Sequence, residues 1–157
     1  MSTSLNLDGL EEKNYCAGDT ILAEGQTSDN VYVLKSGTLK ISRAGIEICK
    51  TDKTNTMFGE MSVLLSSELT ATVSADTAAT VYIISDLKAY LQGNSDAALQ
   101  ISTTLAERLQ AMNDHFVEIK NELGSAEGSG GGALQNIIRS MDMFWGTVIV
   151  GPDTDSE

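Results

Sequence analysis

The sequence predicts an α+β protein in which a compact β-sandwich or β-roll is followed by helices. Short apolar-alternating segments recur up to residue 84, with Gly, Asn and Asp turn signals about every 8–12 residues. At Ser85 the apolar period changes from strand-like to helical. Further on, Leu105, Leu109, Met112, Phe116, Ile119 and Leu123 are spaced 4, 3, 4, 3 and 4 apart, an a/d heptad stripe. Proline is absent until Pro152, so the turns of the β half rely on Gly, Asn and Asp.

The elements follow in order. Residues 5–10 read as a short helical or coil lead-in. Tyr15-Cys16-Ala17-Gly18-Asp19 is a strand end and a turn, and residues 20–25 form a short strand closed by Gly25. Residues 30–36 alternate into Gly37, with Val31 and Val33 on one face and Tyr32 and Leu34 on the other. Residues 38–42 alternate again with Leu39 and Ile41 inward, Gly45 turns the chain, and residues 46–50 alternate once more. A polar turn at 52–55 leads into Met57-Phe58-Gly59-Glu60-Met61-Ser62, where a Gly directly before an acid opens a short helix. Residues 73–75 and 80–84 complete the β half. Ser85 is the expected N-cap of a helix over 86–91 closed by Gly93, and Ser95 or Asp96 that of a long helix over about 96–123.

Composition bounds function. The 157 residues suit one domain with a tail, and 41% apolar residues suffice for a core. A net charge of −12 argues against nucleic acid and against anionic membrane surfaces as partners. Cys16 and Cys49 lack metal-type spacing and read as free, half-buried thiols in a reducing compartment, with a bridge between them left open. The first residues carry no apolar signal core, and no run approaches the roughly 18 apolar residues of a membrane span, so a cytoplasmic location is expected. His115 is the only histidine and falls on the long helix, and neither a nucleophile set, a phosphate-binding loop nor a metal cluster assembles by spacing. The expectation is a non-enzyme without a metal.

Residues 124–132 have the composition of a flexible Gly/Ser linker. Beyond them Leu134, Ile137, Ile138, Met141, Phe144 and Trp145 have amphipathic helical spacing, and Thr147 to Val150 could add a strand. This 133–157 tail reads either as a partner-derived peptide fused through the linker or as a native regulatory segment.

Taken together, the segments resemble the cyclic nucleotide-binding domain family, the sensor domain of catabolite activator proteins and protein kinase A regulatory subunits. The resemblance is carried by Tyr15-x-x-Gly18-Asp19-x-Ile21-Leu22-x-x-Gly25, by Val31-Tyr32-Val33-Leu34-x-Ser36-Gly37-x-Leu39-x-Ile41, by Phe58-Gly59-Glu60-Met61-Ser62 and by Ala71-Thr72-Val73. It spans roughly 5–123 and implies an eight-stranded, jelly-roll-like β-roll with a phosphate-cassette helix and a long C-terminal helix that dimerises, here about 96–123. It also implies a cassette that holds a cyclic phosphate with an Arg and backbone N–H groups, and a Glu that accepts from the ribose hydroxyl.

Glu60 matches the ribose position, but the family's Pro-Arg-Ala falls on Glu68-Leu69-Thr70, followed by Ala71. The buried anion has lost its counter-charge and gained an acid nearby. Two readings of Glu60 stand open: a ribose contact for a nonstandard nucleotide, or a cap of the cassette helix. The expected function is a non-catalytic interaction or scaffolding module without a cofactor, homodimeric through the long helix and binding a helical peptide. The alternative is a cyclic nucleotide sensor using Glu60 and the cassette backbone.

Overall fold

In a computed structural model, residues 5–125 are described. Two compact units are formed, Met1–Ser102 and Thr103–Glu157. The first holds eight strands and two short helices: β1 (Glu11–Tyr15), β2 (Thr20–Leu22), β3 (Val31–Ser36), β4 (Leu39–Arg43), β5 (Ile46–Thr51), β6 (Met57–Phe58), α1 (Glu60–Leu65), β7 (Thr72–Ala75), β8 (Ala79–Ile84) and α2 (Leu87–Gly93). The long helix α3 (Ser95–Ser125) starts in this unit and continues in the second. Two four-stranded antiparallel sheets, ordered β1-β8-β3-β6 and β2-β7-β4-β5, make the β-roll that the sequence predicts.

The roll closes because β-branched and leucine side chains face inward from both sheets. Val31, Val33, Leu34, Leu39 and Val81 are fully buried, and Leu22, Phe58, Leu69, Val73, Ala75 and Ala79 join Leu34, Leu39 and Val81 in one core cluster. Between β3 and β4, Gly37 has φ +92, and a Cβ there would stand 2.3 Å from the Ala78 carbonyl oxygen. Only glycine lets the two sheets approach at that corner.

Several local expectations need correction. The alternation over 46–50 does not mark burial: Ile46 is 71% and Ile48 58% exposed, because β5 is the last strand of its sheet. A register shift opposite Ile41 and Ser42 leaves Ile48 without a cross-strand partner, a bulge that disrupts the open edge. Cys16 and Cys49 are free but exposed, not half-buried. Asp86, not Ser85, caps α2, its side chain accepting from Ala89 N at 3.0 Å. Gly93 lies inside α2, and Asn94 follows as its C-cap, with its own N–H on Leu91 O. The Asn94 side chain also accepts from Ala97 N at 3.1 Å, so Asn94, rather than Ser95 or Asp96, caps the start of α3. The lead-in takes the coil alternative, and it is fixed: Leu5 is buried, and Tyr90 on α2 donates to Asn6 O at 2.9 Å.

Among the described residues no helix is long and apolar enough to cross a membrane, and no group of His, Cys, Asp and Glu could hold a metal ion. The side chain of Leu123, most of the 124–132 linker, and the tail positions Leu134, Ile137, Ile138, Met141, Phe144 and Trp145 lie outside the described residues.

Candidate functional site

The cassette is built outward from β6. Met57 and Phe58 pair with Val33 and Tyr32 of β3, which anchors the turn that follows on a strand whose Val31, Val33 and Leu34 are fully buried. Gly59 then takes φ +86 at the N-cap of α1, and a Cβ there would stand 3.2 Å from Asn30 O and 3.4 Å from Leu22 Cδ1. Both the turn and the tight approach select glycine. Glu60 is therefore the first residue inside α1 and not its cap. It is only 3% exposed, and it stands in the first turn, where a carboxylate is favoured by the free N–H groups.

After six residues α1 is closed by its own serines. Ser66 adopts a left-handed conformation with φ 51. Ser67 N donates to Ser62 O at 3.0 Å, and the buried Ser62 hydroxyl donates to Ser67 O. The chain beyond is clamped to the loop after β2, with Leu69 N on Gln26 O and Gly25 N on Leu69 O, both at 2.8 Å. At the start of β7, Thr72 Oγ1 accepts from Glu24 N at 3.0 Å, while Glu24 Oε2 accepts from Ala44 N at 2.8 Å in the β4–β5 turn. Sequence reading missed this Glu24 tie; its partners are 48 and 20 residues away, so no local pattern signals it.

Phe58 ends β6, and Gly59, Glu60, Met61, Ser62, Leu69, Thr70 and Ala71 follow in the one segment between β6 and β7. They divide sharply in environment. Phe58, Glu60, Ser62 and Leu69 are buried, Gly59 and Ala71 are half-buried, and Met61, Glu68 and Thr70 are exposed. Leu69 does not line an open cassette. It is 8% exposed and belongs to the core cluster with Leu22, Phe58 and Val73. Two lysines, Lys50 and Lys53, precede the cassette in sequence; Lys50 is bound elsewhere, its Nζ 3.0 Å from Asp76 Oδ1. The hydrogen bond and charge of Asp76 hold this ammonium above its ordinary pKa. Lys53 is exposed in the turn before β6.

On α3 the predicted stripe is largely open. Leu109 is 43%, Met112 57% and Ile119 46% exposed, while Leu105 and Phe116 are half-buried. His115 Nδ1 lies 3.3 Å from Glu118 Oε2 on the same helix, and both side chains are exposed.

The sequence profile of the cyclic nucleotide-binding domain matches residues 12–92, more than half of the chain. The chain belongs to the cyclic nucleotide-binding domain family. It is 33% identical over 70 residues to the cAMP-dependent protein kinase regulatory subunit of Eremothecium gossypii, a match covering 45% of this chain and 15% of that one. Similarity to the Drosophila melanogaster type II regulatory subunit is 33% over 76 residues, covering 48% and 20%. The chain thus matches a fifth or less of the length of these relatives. The catabolite activator protein of Thermus thermophilus has the same fold, with a TM-score of 0.66 at 21% identity over 74% of this chain and 58% of that one.

Proposed function

We propose that this chain is a non-catalytic regulatory module of the cyclic nucleotide-binding fold that does not hold a cyclic phosphate in the family manner. One observation carries the reading: Leu69, at the position the family fills with its phosphate-binding Arg, is buried in the roll core. An anion placed there would meet an apolar side chain and, one residue away, Glu68. Loss of the charged partner of a buried anion costs about 3–5 kcal/mol, which at ~1.4 kcal/mol per tenfold removes micromolar affinity. Function then rests on protein contacts. The exposed Leu109, Met112 and Ile119 favour a homodimer through α3. The amphipathic spacing of 134–145 favours a helical peptide as the further partner.

Calorimetric titration of the full chain with cAMP and cGMP tests this. The expected result is no saturable binding below about 1 mM. Micromolar binding that Glu60→Gln abolishes would overturn it and support the second reading, a nucleotide sensor. That reading is favoured by the burial of Glu60 at the family's ribose position.

A further inference from the structure

We propose that the β4–β5 hairpin, with the turn that follows it, is a docking surface for an acidic partner segment that carries apolar side chains. The proposal goes beyond the reading above and depends neither on α3 nor on whether a nucleotide binds. Ile46 and Ile48 are 71% and 58% exposed on β5, the outermost strand of its sheet. Ile46 lies opposite Arg43, and Cys49 opposite the half-buried Ile41. Residues 39, 41 and 43 share one face of β4, so an apolar strip runs from the buried Leu39 outward to the hairpin tip, where it is open to solvent.

Charge singles out the same stretch. The chain carries −12 overall, yet residues 39–53 hold Lys40, Arg43, Lys50 and Lys53 against Glu47 and Asp52, a net of +2. The remaining residues hold six basic and twenty acidic side chains, a net of −14. Lys40 and Lys50 are cross-strand partners, an arrangement that like charges disfavour. Asp76 neutralises Lys50 at 3.0 Å, whereas Lys40, Arg43 and Lys53 form no ion pair among the described residues. The hairpin is also fixed in shape. Ala44 and Gly45 close it with positive φ of 51 and 77, as in a tight two-residue turn. Glu24, the acid that reaches the tip, is engaged by Ala44 N at 2.8 Å. A braced surface loses little freedom when it binds.

The occupant follows from these features. Carboxylates meet Lys40, Arg43 and Lys53, and apolar side chains cover Ile46 and Ile48. At about 3.4 Å per residue, β5 offers a strip roughly 20 Å long. The bulge at Ile48 leaves Cys49, Lys50 and Thr51 in unbroken pairing beyond it, short of the five or six residues of a usual strand. Side chains therefore carry the recognition, and the sheet is not extended. A second copy of the hairpin is the wrong partner, because it sets one positive strip against another.

The test is a selection on the full chain from a phage library of short random peptides, with counter-selection on the Arg43→Ser, Ile46→Ser variant. Both side chains are exposed, and an unchanged thermal melt verifies the fold; if the melt shifts, Lys40→Ser, Lys53→Ser takes its place. Peptides kept by the parent and lost by the variant are expected to carry an excess of Asp and Glu together with Leu, Ile, Val or Phe. A synthetic peptide from that set is expected to bind about tenfold more weakly to Lys53→Ser, outside the hairpin, and equally well to Lys88→Ser on α2. Absence of any peptide that separates parent from variant overturns the proposal, and so does a separating set without the acidic excess. Self-association of the parent that the variant abolishes, with no peptide selected, assigns the strip to a second copy and overturns the acidic partner.

Discussion

Leu69 and Leu109 are the same side chain in two settings, 8% exposed inside the roll and 43% exposed on α3. The first sits at the cassette position that the proposed function turns on, and its burial adds to the core. The second recurs along a helix at heptad spacing and stays exposed, which is the observation behind the proposed dimer. An isolated apolar residue on a surface means little; it is the periodicity with Met112, Phe116 and Ile119 that gives Leu109 its meaning. Residue type alone does not separate the two settings; burial places Leu69 in the core, and periodicity singles out Leu109 on the surface.

Truncation is the most direct way to break the contrast. Leu69→Ala is expected to destabilise the fold by about 2–5 kcal/mol, the range for a leucine removed from a packed core, measured by chemical denaturation. Next in size is Asp86→Ala, which removes the α2 cap and should cost ~1 kcal/mol in the same assay. Leu109→Ala should change the stability of the monomer by no more than about 0.5 kcal/mol while weakening self-association in sedimentation. If its cost to monomer stability matched that of Leu69→Ala, the open-seam reading of α3 would fail.

The smallest effect concerns pH and sharpens the description of the roll side. Burial pushes the Tyr90 phenol above its ordinary value, and the Asn94 amide nearby pulls it partly back. The native state then holds this proton more tightly than the unfolded chain. Its contribution is fully present below the ordinary phenol pKa of about 10 and is lost as pH rises through the higher native value. Thermal melts between about pH 9 and 11 should show a shallower alkaline decline for Tyr90→Phe than for the parent chain. An unchanged slope would mean that Tyr90 does not contribute to it.

Much of the roll is legible in the residues. Gly37 announces a corner that only glycine can turn, and Phe58-Gly59-Glu60 announces a strand, a left-handed cap and a helix start in three letters. The expected strand segments are found because alternation and turn chemistry agree along the β half. What escapes is set by long-range context. Ile46 and Ile48 carry the pattern of an inward strand, yet the sheet ends at β5 and nothing covers them. The sequence places Leu69 at the cassette's cation position, but its membership of the core cluster depends on Leu22 and Phe58, which arrive from other strands. Helix caps slip by a residue because Ser85-Asp86 and Asn94-Ser95-Asp96 each offer several competent oxygens in a row.

Asn94 has a mechanical consequence. Its backbone ends α2 and its side chain begins α3, so no spare residue separates the two helices. Along the chain, a change in heading at the root of α3 must pass through the backbone dihedrals of this one residue. Its amide nitrogen is buried without a hydrogen-bond partner, although it lies near enough to Tyr90 to influence the phenol. Asn94 is thus a pin fastened to both helices, by its N–H on Leu91 O and by its two oxygens on Ala97 N and Ala98 N, and Tyr90 beside it is fastened in turn to the backbone at Asn6.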